Sequence, residues 1–188
     1  MFKKISIVMI ILLSTVGCSA QANDTTKTVE IEQVDVEKEE MDYARSAYIT
    51  GLAINLSSLE NLQMCAKTSE VWLAAINLGR DFDNELAKLY KEAEDKGVIK
   101  DLTDDKKLID IQMNELNNPP EKYQKLYDKL LELYGEYTLA HEFAVSPSGS
   151  LAIYNESINE NYSEITRLNN EFKALVPQEI IKEIEIKK

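Results

Sequence analysis

The sequence predicts an all-α protein, an antiparallel bundle of three to four helices whose first helix is long and follows a flexible N-terminal tether. Over most of residues 41–176, apolar residues recur at steps of three and four, the spacing of helices with one buried face. Only six glycines and four prolines occur in 188 residues, while the helix-favouring Leu, Glu, Lys and Ala are abundant. No stretch alternates apolar and polar residues strongly enough to indicate a sheet.

Residues 1–17 have the three parts of a secretory signal peptide. Lys3 and Lys4 precede an apolar run over residues 5–16, and small residues follow it. The run has 12 residues, whereas a helix that crosses a bilayer takes about 20. We therefore expect a cleaved export signal and a mature chain outside the cytoplasm.

The end of this signal resembles a known processing motif. The tetrad Thr15-Val16-Gly17-Cys18 resembles the lipobox of bacterial lipoproteins. The resemblance implies cleavage before Cys18 and diacylation of its thiol, which would anchor the chain to the extracytoplasmic face of the cell membrane. A diacylglycerol on the thiol together with an acylated amine passes the two-chain requirement for stable anchoring.

A second cleavage site remains open as an alternative. Ala20-Gln21-Ala22 has the A-x-A pattern of an ordinary signal-peptidase site. Cleavage after Ala22 would release a secreted protein without a lipid anchor.

Residues 18–40 are predicted to be a disordered acidic tether. They are polar, acidic and nearly free of large apolar side chains, so they cannot bury enough surface to offset the entropy of ordering. A flexible coil of this length would reach roughly 25 Å. A short strand, or the start of the first helix, is the alternative for its Val and Ile residues.

The first helical stretch runs over residues 41–94 and carries an apolar stripe that we call the leucine stripe. Its members are Leu52, Leu56, Leu59, Leu62, Ala66, Ser69, Leu73 and Ile76, and the phase continues through Phe82, Leu86 and Leu89. Steps of three and four predict that this stripe is the buried face. Residues 66–69 and Gly79 are candidate breaks. Because neither disturbs the phase, one long, bent helix that stops before Gly97 is favoured over two helices.

Three further helical segments complete the bundle domain, residues 41–176. Thr103 is a plausible N-cap for a helix to about residue 116. Asn118 and Pro119 suit the cap and first position of a helix over about residues 119–144. The turn at residues 146–150 precedes a last helix, residues 151–175, which Pro177 ends. Residues 177–188 are predicted to be a C-terminal tail, either amphipathic or disordered.

Charge and cysteine content exclude several classes of function. The net charge is −12, and loss of Lys3 and Lys4 with the signal brings it to −14. Such a chain is not expected to bind nucleic acid or to adhere by charge to anionic lipid. Cys18 and Cys65 are the only cysteines, so neither a disulfide framework nor a zinc tetrad is possible. No cofactor is predicted.

The candidate binding residues lie on one seam of the helix over residues 119–144. They are Tyr123, Tyr127, Tyr134, Tyr137 and His141. Tyrosine has an apolar ring and a polar tip, which suits either a core edge or a binding groove, and the bundle-like spacing favours packing. His141 is the only histidine, so it cannot hold a transition metal alone. No catalytic residue and no metal ligand is assigned.

Three functions remain open. The favoured one is a lipid-anchored extracytoplasmic interaction module without catalytic activity, held in the membrane by Cys18 and docked to a protein of the cell envelope. The alternative is a carrier of small apolar ligands with a tyrosine-lined cavity between helices. The third and weakest is an envelope hydrolase that uses His141.

Overall fold

A computed structural model of the chain describes residues 25–185, with side chains from residue 36 onward. The described residues form helices and no strand, so the predicted all-α class with a long first helix is confirmed. The helices are α1 Thr25–Leu78, α2 Phe82–Asp95, α3 Val98–Glu115, α4 Gln124–Val145, α5 Leu151–Leu175 and α6 Gln178–Glu185, with a single 3-10 turn at Glu121–Tyr123 before α4.

The bundle is built on α1, α4 and α5, which pack against one another along their lengths. Helix α5 runs antiparallel to both others, since Gly51 of α1 meets Phe172 while Ser69 of α1 bonds Asn155. Helices α1 and α4 run parallel, because α2 and α3 together carry the chain back along α1 before α4 begins. Helix α5 is therefore antiparallel to both neighbours, as predicted for an antiparallel bundle, whereas α1 and α4 are parallel.

The buried face of α1 is a seam of mostly small and polar residues, which we call the core seam. Its members are Ala44, Ala47, Gly51, Ile54, Ser58, Asn61, Cys65, Thr68, Trp72 and Ala75, and all are buried. They follow one another at alternating steps of three and four, the spacing of a heptad seam. Small side chains there let the backbone of α1 come close to its neighbours.

The N-terminal part of α1 differs from the predicted tether. The structure continues α1 back to Thr25, so residues 25–40 are helical rather than disordered, and residues 18–24 lie outside the described part. Once α1 is nucleated by its packed part, each further residue adds a hydrogen bond at little cost. The charged, helix-favouring composition of residues 36–40 allows this extension although residues 36–39 are exposed.

The long first stretch consists of two helices, so the favoured single helix is wrong. Gly79 adopts φ +60°, a left-handed conformation that ends α1 at little steric cost. The Asp81 carboxylate then accepts a hydrogen bond from the Asn84 amide at 2.8 Å and caps α2. The chain can therefore change direction at Gly79 without any interruption in the apolar spacing of the sequence.

At the junction of α2 and α3, the predicted stop at Gly97 is confirmed, whereas the predicted cap at Thr103 is wrong. Gly97 follows α2 with φ +77°, as expected for a glycine just beyond a C-cap. Helix α3 then begins at Val98, five residues before the predicted cap. Thr103 lies inside α3, and its hydroxyl donates to the Ile99 carbonyl oxygen at 2.8 Å. This back-bond to the preceding turn replaces the capping role.

Helix α4 begins later than predicted. Asn118 and Pro119 precede the 3-10 turn, and α4 begins at Gln124. Helix α5 begins at Leu151, as predicted, and Ser150 caps it by accepting from the Ile153 amide at 3.4 Å. Beyond Pro177 the predicted tail forms α6, in which the side chains of Ile180 and Ile181 are buried against the core.

Within the part of the chain that the structure describes, no helix is both long enough and apolar enough to cross a membrane.

Candidate functional site

The leucine stripe, predicted to be the buried face, lies largely on the surface. Leu56 is 62% exposed, Leu73 51% and Ile76 59%. Leu52 and Leu62 are half-buried, and Leu59 and Ala66 are exposed. The prediction that this stripe packs into the core is therefore wrong for α1, and the chain presents an apolar face to its surroundings.

The geometry of α1 explains this outcome, because the helix carries two apolar seams side by side. Leu59, Ala66 and Leu73 each follow a core-seam residue by one position, namely Ser58, Cys65 and Trp72. One residue along an α-helix turns the side chain by about 100°. The other helices pack against the seam with the smaller side chains, and the leucine stripe lies beside it on the surface.

Helix α5 borders the leucine stripe and widens it into a two-helix surface. The Ser69 hydroxyl donates to the Asn155 side-chain oxygen at 2.6 Å and joins the two helices. An open groove of about 270 Å³ lies between them, lined by Leu62, Ala66, Ser69, Asn155, Ile158 and Asn159. Tyr162 lies close to Leu62 and is 41% exposed. We call the leucine stripe together with Asn155, Ile158, Asn159 and Tyr162 the α1–α5 face.

The α1–α5 face is nearly without charge. Of the 33 residues over 46–78, only Glu60, Lys67 and Glu70 are charged, in a chain of which 29% is charged. The α5 residues of the face are amides, one isoleucine and one tyrosine. An exposed apolar surface with a polar but uncharged rim is typical of a site where another macromolecule binds. The low charge over residues 46–78 is the signal of this surface in the sequence, although the leucine stripe was predicted to be buried.

The tyrosine seam of α4 is packed rather than open. Tyr123 and Tyr137 are buried, and the Tyr137 hydroxyl lies 3.2 Å from Ser57 Oγ on α1. Tyr127 and Tyr134 are half-buried, and the Tyr134 hydroxyl donates to Asp110 at 2.6 Å. Burial raises the pKa of Tyr137 to about 12. These tyrosines join α4 to α1 and α3, and a binding role for them stays a prediction.

His141 is half-buried beside α3. Burial, followed by the positive charge of Lys106, lowers its pKa below the ordinary value. Its Nδ1 atom is buried and makes no hydrogen bond to any described residue. A catalytic histidine is oriented by a carboxylate that accepts from one ring nitrogen, and the described residues provide no such partner at Nδ1.

A small cavity lies between α1, α4 and α5. This cavity of about 10 Å³ is lined in part by Cys65, Ala140, Phe143 and Ile158, room for one water at most. Ligand pockets typically measure about 300–1,000 Å³. Burial raises the pKa of the Cys65 thiol to about 11, which makes this cysteine unreactive at neutral pH.

A pair of carboxyl groups lies between α1 and α3. The pKa of Glu60 is raised by burial and then by the negative charges of Asp105 and Asp101. The pKa of Asp105 is raised as well, chiefly by burial. Across the described residues, no group of three or more His, Cys, Asp or Glu is placed to hold a metal ion.

Cys18, the residue predicted to carry the lipid, lies outside the described residues. Comparison of the chain with protein-family models, with curated proteins and with solved structures finds no match.

Proposed function

We propose that the chain is a lipid-anchored interaction protein of the cell envelope. In this proposal Cys18 carries the lipid and holds the chain on the extracytoplasmic face of the membrane. The α1–α5 face binds a protein partner in the same compartment, and the chain performs no catalysis of its own.

The observation that carries the proposal is the second, unoccupied seam of α1. Leu59, Leu73 and Ile76 expose between 39% and 59% of their surfaces, at the steps of three and four with which helices pack. Complete burial of such a side chain is worth about 1.5–3 kcal/mol relative to full exposure, so a partner that covers these half-exposed side chains gains roughly half of that free energy for each. A partner that covers the face recovers this free energy.

Two observations favour the interaction proposal over a ligand carrier and a hydrolase. They are the location of the open groove and the surroundings of His141. A carrier of apolar ligands needs an enclosed cavity, and the larger of the two spaces described above is an open groove on the α1–α5 face. A hydrolase needs an oriented base, and the sole histidine is desolvated with an unbonded Nδ1.

Site-specific photo-crosslinking in intact cells tests the docking surface. A photo-reactive residue at Leu73, which is 51% exposed, is expected to capture a protein, because Leu73 lies on the proposed face. The matched control is the same residue at Leu131 on α4, which is 47% exposed and lies outside the face. A second photo-reactive position is Leu59. If the yield of crosslinked protein at both Leu59 and Leu73 is no higher than at Leu131, the proposed docking surface is ruled out.

Mass spectrometry of the mature N-terminus tests the anchor. The expected product begins at Cys18 and carries a diacylglyceryl thioether. A Cys18→Ala variant is expected to lose this product, and the chain should no longer be retained in the membrane by a lipid. A wild-type chain that begins at Asn23 without lipid, or that still begins at Met1, contradicts the anchor.

A further inference from the structure

We propose that the α1–α5 face binds a second copy of this chain, with the two α1 helices antiparallel about a two-fold axis. This inference rests on the proposed function, since it names the partner of the same face. The order of side-chain sizes along the leucine stripe, its low charge and the position of α5 favour this partner.

The leucine stripe is self-complementary in size. Between residues 59 and 76 it reads large, large, small, small, large, large, as the order Leu59, Leu62, Ala66, Ser69, Leu73 and Ile76 gives. The steps between these residues are three, four, three, four and three. Antiparallel helices pair the first position of such a heptad seam with the fourth position of the other helix.

A two-fold axis beside residues 67 and 68 satisfies every pair of this seam at once. Leu59 then lies opposite Ile76 of the second copy, Leu62 opposite Leu73, and Ala66 opposite Ser69. A two-fold interface requires that each surface complements itself, and the size order of this stripe reads the same in both directions. The small central pair lets the two helices approach closely, and the large pairs fill the space at both ends.

Charge also favours a second copy at this face. The chain has a net charge of −12, so two copies repel each other over most of their surfaces. Over residues 46–78, which form the α1 part of the α1–α5 face, only Glu60, Lys67 and Glu70 are charged. Two identical acidic chains that meet at α1 therefore bring together fewer carboxylates than the rest of the sequence would.

The position of α5 favours the antiparallel arrangement. With the axis beside residues 67 and 68, the paired part of the stripe runs from Leu59 to Ile76 and spans about 26 Å of helix at 1.5 Å per residue. With α5 beside it this part of the face is about 20 Å wide, or roughly 500 Å² on each chain, the size of a weak interface. A two-fold axis perpendicular to α1 places α1 on α1 and α5 on α5. An axis parallel to α1 leaves α5 off its own copy.

Cysteine crosslinking of the full-length chain in its own cells tests the pairing. One chain carries Leu59→Cys and a second, co-expressed chain carries Ile76→Cys. Both positions are exposed, so neither substitution disturbs the core. Under mild oxidation we expect a disulfide-linked dimer from the mixed pair, with at least ten times the yield of either variant alone. In the antiparallel dimer, two copies of residue 59 are about 25 Å apart along the helix.

The controls separate the possible partners. Leu131→Cys, on α4 and outside the α1–α5 face, is expected to give no dimer. A dimer from Leu59→Cys alone equal to that from the mixed pair indicates parallel helices and overturns the inference. No dimer from any pair also overturns it. If photo-crosslinking at Leu73 then still captures a different protein, the proposed function stands while the second copy is excluded.

Discussion

At the scale of single residues, the side chains that set the packing of α1 are its smallest. A Cβ atom added at Gly51 would lie 2.3 Å from Phe172 Cε1 on α5, closer than carbon atoms approach without displacement. Gly51 is therefore needed for contact between two helices and not for a turn. A glycine inside a helix costs about 0.5–1 kcal/mol relative to alanine, and here the close approach of Phe172 offsets that cost.

Gly51→Ala is predicted to destabilise the chain, because the new methyl group forces Phe172 or α5 to shift. We expect a loss of about 1–3 kcal/mol in the free energy of unfolding, as for other overpacked cores. The matched control is Gly135→Ala in α4, where an added Cβ meets nothing within 4 Å. That variant should gain about 0.4–1 kcal/mol. Urea denaturation of both variants measures the difference, and equal effects of the two would refute the close contact.

Glu60→Gln is predicted to raise stability at neutral pH. A carboxyl whose folded-state pKa is raised binds its proton more readily in the folded chain, so its contribution to stability falls as the pH rises through that range. Burial and the charge of Asp105 raise the pKa of Glu60, and a neutral amide removes this penalty.

The gain should be present at pH 7 and largely absent at pH 4, where the wild-type carboxyl is itself protonated. Urea denaturation at the two pH values measures it. Glu70→Gln on the same helix is the control and should change stability by less than about 0.5 kcal/mol. A Glu60→Gln gain that is the same at both pH values would contradict the role of the charge.

At the scale of helices, the sequence predicted most of the elements but assigned α1 to the wrong face. Helices α3, α4 and α5 follow the predicted segments to within about five residues, because their apolar spacing and turn residues agree. Along α1, two seams with the same spacing compete. The larger side chains predict that the leucine stripe is the buried face, whereas in the structure the smaller side chains of the core seam are buried. Asn61 is fully buried there, a position that amides seldom occupy.

The short helix α6 was beyond prediction for a different reason. Its eight residues contain too few turns to establish a period, and short helices are marginal without tertiary contacts. Its burial depends on Ile180 and Ile181, which pack on the core formed by α1, α4 and α5. Salt bridges from Arg45 to Glu183 at 2.9 Å and from Lys173 to Glu185 at 2.7 Å hold the outer side of α6.

Ile180→Ala is predicted to lower the free energy of unfolding by about 2–4 kcal/mol, because it removes a side chain that is 1% exposed and leaves a cavity. Ile153→Ala in α5 is the control, since Ile153 is 60% exposed and should change stability by no more than about 0.5 kcal/mol. Thermal unfolding followed by circular dichroism compares them. If the two variants melt together, α6 is not part of the core.

At the scale of the whole molecule, the arrangement of the helices depends on the path of the chain through the bundle, which the sequence could not reveal. The return of the chain through α2 and α3 makes α1 and α4 parallel, and no local signal specifies that path. The same arrangement covers the core seam with α4 and α5 and leaves the leucine stripe outside. The candidate docking surface is thus a property of the assembled bundle. From the sequence alone its residues could be named, but not the side on which they lie.

The measurement that tests this account most directly is the stability of a chain in which the leucine stripe is made polar. The double variant Leu59→Ser, Leu73→Ser is compared with Ile54→Ser, whose side chain is fully buried. Urea denaturation is performed at a chain concentration too low for self-association to contribute. We predict that the double variant loses less than about 1 kcal/mol while Ile54→Ser loses at least about 2 kcal/mol. A double variant that loses as much as Ile54→Ser would mean that the stripe is core, and the docking surface would not exist.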